Sequence, residues 1–152
     1  MTVRTSAGTT LAVTATAPAT FNAAGYAALT FTDVGEVTDL GEFGREYNLV
    51  THNPLGTRST RKFKGSFNEG SITLQLGLDN NDAGQVIMKA ASKSDADYYF
   101  RVTLQNGEIY FFPAKVMSWK VGVGGVDQIT SATATLEISS ADDGTGVVEK
   151  LS

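Results

Sequence analysis

Residues 71–120 read as strand, helix, strand, tight turn, strand, and the rest of the chain has to be built around that order. In Ser71-Ile72-Thr73-Leu74-Gln75-Leu76-Gly77-Leu78 the apolar residues occupy alternate positions, the mark of a half-buried strand. Asp79-Asn80-Asn81-Asp82 breaks the alternation, and Asp82 with Gln85 three residues later has the form of a capping box. A helix of about three turns is therefore expected, ending near Lys93. Its apolar side is read as Val86, Ile87, Ala90 and Ala91, with Gln85, Lys89 and Ser92 facing elsewhere. Two aromatic and β-branched runs follow, Tyr98-Tyr99-Phe100-Arg101-Val102-Thr103-Leu104 and Ile109-Tyr110-Phe111-Phe112. Between them, Asn106-Gly107 predicts a hairpin with a type I′ turn, which needs positive φ at both central residues. Pro113 cannot donate to a ladder, so residues 114–119 continue that strand past a bulge or along an edge.

Elsewhere the pattern is weaker. Leu11, Val13, Ala15 and Ala17 alternate with Ala12, Thr14 and Thr16 in a strand that Pro18 stops. Residues 21–25 read as a connection and 26–32 as an extended segment. Residues 33–47, punctuated by three glycines, read as a bulged strand and an irregular loop. Asn53-Pro54-Leu55-Gly56 is a turn by residue chemistry. The last strand lies within residues 127–140, with Ala132, Ala134, Leu136 and Ile138 opposite Thr133, Thr135 and Glu137. The tail from Ala141 lacks a pattern and is expected to be mobile in isolation, as is the amino end. About seven strands and one inserted helix predict a single α+β, mainly β domain over residues 1–152, with an ordered core at about 8–140: a β-sandwich or barrel with one flanking helix.

Chemistry is sparse. The chain has no cysteine, which excludes disulfides and thiolate chemistry. His52 is its one histidine, beside a turn and away from any nucleophile motif. In 79–84 a calcium loop fails, because Ala83 and Ala90 stand where ligands are required. Gly122-Val123-Gly124-Gly125 lacks the dinucleotide spacing. No enzyme activity, metal or cofactor is expected. No apolar leader or membrane-length run appears, so a soluble, non-secreted chain is expected. The formal charge of −4 argues against nucleic-acid binding by the whole surface.

What stands out is a charge separation. Asp33, Glu36, Asp39, Glu42 and Glu46 against Arg45 leave one segment at net −4, whereas Arg58, Arg61, Lys62 and Lys64 place four positive charges within seven residues, with Phe63 and Phe67 among them and no acid between. Such segments can be two solvated loops, since exposed ion pairs contribute little, or they can pair within one subunit, join neighbouring copies, or, for the basic arm, bind nucleic acid or a partner protein.

At Gly8-Thr9-Thr10-Leu11, Val34-Gly35-Glu36-Val37-Thr38-Asp39-Leu40-Gly41, Thr73-Leu74-Gln75-Leu76, Asp82-Ala83-Gly84-Gln85 and the Asn106-Gly107 hairpin, the chain resembles the major tail tube proteins of long-tailed, lambda-like, non-contractile bacteriophages (siphophages). The resemblance implies a virion structural protein, assembled in the host cytoplasm, whose hexameric rings stack into a hollow tail tube. The implied partners are further copies of itself, a tape measure protein in the lumen, and tail terminator and tail tip proteins, with genomic DNA passing through unbound on delivery and no membrane contact. Which residues line the lumen is not implied. From charge alone, the basic arm, including Phe63 and Phe67, is expected to meet the acidic segment of a neighbour in the next ring. The alternative is a small β-rich domain binding nucleic acid or a protein through residues 58–64.

Overall fold

The computed structural model describes residues 3–151. In chain order the elements are β1 (Thr10–Thr14), α1 (Ala23–Ala27), β2 (Thr32–Val34), β3 (Val37–Asp39), β4 (Glu46–His52) and β5 (Arg61–Asn68). They continue with β6 (Ser71–Gly77), α2 (Ala83–Ala91), β7 (Tyr98–Thr103), β8 (Ile109–Gly122), β9 (Ser131–Ile138) and β10 (Val148–Lys150). The protein is mainly β. One antiparallel sheet runs β2-β1-β7-β8-β9-β6-β3, with β10 added to β8, and β4 and β5 form a separate two-stranded sheet.

The two ends of the long sheet, β2 and β3, are consecutive in the chain, joined only by Gly35 and Glu36. Two residues span at most about 10 Å including their flanking bonds, so the sheet must curl until its margins nearly meet. Backbone pairing does not close this seam; side chains do. The Gln85 amide donates to the carbonyls of Gly35 (3.0 Å) and Gly77 (2.8 Å), and its oxygen accepts from Asp79 N–H (2.9 Å). Asp82 accepts from Gly35 N–H at 3.0 Å and also caps α2 by accepting from Gln85 N–H at 3.0 Å.

That stapling corrects the expected face of α2. Gly84, Gln85, Met88 and Ala91 are the buried residues, while Val86 and Ala90 are exposed. Gln85 turns inward because three backbone groups at the seam need a partner, and Gly84 turns inward because α2 presses on β2: a Cβ there would collide with the backbone of Asp33 and Val34. The helix is where the capping pattern placed it, but Gln85 bonds across the seam rather than back to the cap residue's own N–H.

The core lies on one sheet face. Leu11, Val13, Ile72, Leu74, Leu76, Phe100, Phe112, Leu136 and Met88 of α2 are buried there, with Phe100 and Phe112 stacked at 5.5 Å. The opposite face of β8 is covered locally by α1, a helix that replaces the end of the expected connection at 21–25 and the start of the extended segment expected at 26–32, of which only Thr32 is strand. Asn22 caps it, accepting from Gly25 N–H at 2.8 Å, and Tyr26 lies fully buried, stacked on Phe111 at 5.2 Å. Adjacent Phe111 and Phe112 are therefore both buried, one on each face.

The 98–112 hairpin forms, with a different turn. Gly107 alone takes positive φ (93°), and Gly107 N–H donates to the Leu104 carbonyl at 3.0 Å. Asn106 instead accepts from Glu108 N–H through its side chain at 3.1 Å, so the type I′ expectation fails while the pairing it predicted holds. β8 runs in register through Pro113, where a bulge or an edge was expected, and shifts register only further on, between Val116 and Ser118. β10 returns the carboxyl-terminal segment to β8, a strand the sequence pattern did not disclose. Of the terminal residues expected to be mobile in isolation, Met1, Thr2 and Ser152 lie outside the described residues.

Candidate interaction surface

The basic residues singled out by sequence are carried on a projecting hairpin, formed by β4, β5 and their connection. β4 and β5 pair with each other and with no other strand, and every residue of β4 is exposed. Cross-strand pairs share a face. The register Tyr47↔Phe67, Leu49↔Lys64 and Thr51↔Lys62 defines one face, and Val50↔Phe63 and His52↔Arg61 the other. Each face thus combines exposed apolar groups with cations. Leu55 at the tip is fully exposed (105%) and Phe63 half-exposed. Among the described residues, Arg58, Arg61, Lys62 and Lys64 form no ion pair.

The root of the arm is fixed by a cluster around Arg45, and here sequence reasoning missed a partner. Arg45 donates to Glu69 through Nε (3.2 Å) and Nη2 (2.8 Å), donates to the Tyr47 hydroxyl at 3.3 Å, and lies 3.8 Å over the Phe67 ring. Hydrogen bonds to Tyr47 and then Glu69 raise its pKa above the ordinary guanidinium value. Glu69 is buried (4%), and the carboxyl-terminal segment helps bury it, since a Cβ on Gly146 would run into its carboxyl group. A carboxylate withdrawn from water in this way needs its cation. Lys64 lies 4.7 Å over Tyr47, extending the aromatic and cationic stack up the arm.

The acidic residues do not gather into one patch. Asp33 lies on β2, 3.6 Å from Arg101. From Glu36 onward the chain runs back along β6: the Glu36 carbonyl accepts from Gly77 N–H at 2.8 Å, Asp39 is in register with Gln75, and Gly44 touches Gly70. Glu36 therefore sits at one end of β6 and Glu42 near the other, while Glu46 opens β4 at the arm's root. A groove at that root is lined by Glu42, Arg45, Glu46, Asn48, Ser71 and Glu137.

A second unpartnered surface comes from β8. Its first half pairs with β7 on one side and β10 on the other, and its second half pairs with β9. Ala114 is in register with both Tyr98 and Ile138, which puts β7 and β9 on opposite sides. Among the described residues, no strand pairs with residues 115–122 on the side away from β9. His52 lies exposed on the arm, and among the described residues no group of three or more His, Asp or Glu is placed to hold a metal ion.

The architecture, a curled sheet stapled shut over one helix with a two-stranded arm standing off it, is a tail-tube-like fold. A chain of the anti-feeding prophage baseplate, solved by cryo-EM and 6-fold symmetrised, is similar with a TM-score of 0.66 at 13% identity, over 91% of this chain and 93% of that one. A chain from the sheath/tube terminator of an extracellular contractile injection system, PVC, in the extended state, gives 0.67 at 10% identity, over 99% and 98%. One from the anti-feeding prophage tube terminating cap gives 0.60 at 14%, over 93% and 88%. No protein-family model and no curated protein sequence matches the chain. At these identities the likeness concerns the fold, and since it includes a contractile system it does not single out the non-contractile, lambda-like branch.

Proposed function

We propose that this chain is a structural subunit that polymerises, as stacked hexameric rings, into the tail tube of a phage or phage-like particle. The observation that carries the reading is the arm. An isolated two-stranded hairpin is marginal in water, yet this one extends Leu49, Val50, Leu55 and Phe63 into solvent beside cations without ion-pair partners among the described residues. A second copy offers what it lacks. The unpaired side of β8 supports the lateral half of the same reading, because an open strand edge is a template for another strand and is made safe when a neighbour covers it. Likeness to chains of tube-bearing particles, one of them 6-fold symmetrised, supports rings of six.

In this reading the arm reaches a subunit of the next ring, and the lumen holds a tape measure protein before it conducts DNA. Tail terminator and tail tip proteins close the two ends, and the assembled tail belongs to the virion after assembly in the host cytoplasm. The test is electron microscopy of the purified, concentrated protein, where rings or tubes are expected. Arg61→Glu with Lys62→Glu is expected to abolish or shorten them. Normal tubes with unchanged salt tolerance would contradict the role given to the arm, and DNA binding that falls steeply with salt in a protein that stays monomeric would favour the binding-domain alternative.

A further inference from the structure

The arm and the β8–β9 connection leave opposite ends of the same three-strand ladder. β6 pairs with β9 from Ser71↔Glu137 to Gly77↔Ser131, a run of about 20 Å. The arm enters at the Ser71 end. At the Gly77 end, residues 123–130 form a connection whose apolar side chains have nothing over them: Val123 is 66%, Val126 102% and Ile129 84% exposed. This is not a frayed loop. Gln128 N–H donates to the Gly125 carbonyl at 3.2 Å and Leu78 N–H to the Thr130 carbonyl at 3.0 Å, so the valines and Ile129 are held out on a formed turn. Acids lie near them, with Asp127 in the turn, Glu36 against Gly77 as Ile129 is, and Asp79 two residues past Gly77; Lys120 on β8 is the counter-charge on that side. The turn at one end is apolar and acidic; the arm that leaves the other end is, beyond its acidic root, apolar and basic.

Resting on the self-assembly reading above, we infer that the 123–130 turn, with Glu36 beside it, is the acceptor for the arm of the next copy. Leu55 and Phe63 pack against Val126 and Ile129, while Arg58 and Arg61 meet Glu36 and Asp127. Two different surfaces on identical chains make a heterologous contact, and because they lie at opposite ends of one ladder the contact repeats along an axis instead of closing on itself. Large apolar side chains held in water at both ends account for affinity, and the opposed charges fix direction, since arm-to-arm and turn-to-turn contacts would set like charges together.

The absence of cysteine from the chain allows a clean test. Leu55→Cys combined with Val126→Cys, oxidised under assembling conditions, is expected to give a non-reducing ladder of dimers, trimers and longer products that collapses on reduction. Either single variant should give dimers at most, and pairing Leu55→Cys with Lys93→Cys, beyond the far end of α2, should give no ladder. Separately, Val126→Asp with Ile129→Asp should raise the concentration needed for assembly at least tenfold in a protein that remains folded by circular dichroism. Tubes of normal length without the ladder, or assembly unaffected by the two aspartates, would overturn the acceptor assignment and leave the tube reading standing. An unmodified protein that never assembles would overturn both.

Discussion

The curled sheet and the arm are built from the same backbone pattern and obey opposite rules of burial. In β6, alternation is strict: Ile72, Leu74 and Leu76 are buried, and Ser71, Thr73 and Gln75 exposed. In β4, seven consecutive residues are exposed, although Leu49 and Val50 are as apolar as anything in the core and Tyr47 adds an aromatic ring. The sheet is a solution for one chain and the arm is not. Substitutions should therefore divide cleanly, those in the sheet acting on folding and those in the arm acting on association.

The largest effect is expected at the centre of the sheet. Phe112→Ala removes a ring packed between Phe100 and Phe43 and should cost about 3–5 kcal/mol in urea denaturation. Gln85→Leu comes next. It keeps the volume but deprives Asp79 N–H and the Gly35 and Gly77 carbonyls of their partner, and should cost about 2–3 kcal/mol; stability near wild type would show that the seam does not depend on this staple. Arg45→Ala strikes the junction of the two regions. It leaves Glu69 buried without its cation, and hydrogen exchange should speed up in β4 and β5 while β6, β8 and β9 keep their protection. The smallest effect on folding belongs to the arm: Leu49→Ser with Phe63→Ser should change monomer stability by no more than about 0.5 kcal/mol, yet reduce assembly. If those two changes unfold the monomer, the contrast between the regions is wrong.

The same contrast explains what could be read from the residues. β6, α2, β7 and β9 were legible because each buries one side, and burial writes a period into sequence; β8, buried on both faces at Phe111 and Phe112, was legible from its aromatic and β-branched run after Asn106-Gly107. The arm's strands were not: with both faces of β4 exposed, the alternation of residues 46–49 breaks at Leu49-Val50, and only the charge run in 58–64 marked the region as unusual. α1 is five residues long and rests on Tyr26 stacking against Phe111, a contact 85 positions away in sequence. α2 was found by its cap and its expected face is half right: Ala91 is buried and Ile87 packs on the core, while Val86 and Ala90 are exposed and Gln85 is buried, since a glutamine points inward only when distant backbone groups require it. Acids that form one run in sequence are drawn out along β6, because the chain there runs antiparallel to that strand from Gly77 back to Gly70. Arg45 was legible as a charge but not as a clamp, since its partner Glu69 lies 24 residues on.

The most direct test of self-association through the arm is to excise it. Gly44 and Gly70 already touch, so a short Gly-Ser link in place of residues 46–68 can retain Arg45 and Glu69. Compared by sedimentation and negative-stain microscopy at equal high concentration, the intact chain is predicted to form rings or tubes and the armless chain to stay folded and fail to stack. Tubes of normal length from the armless chain, or an intact chain that remains a monomer throughout, would contradict the account.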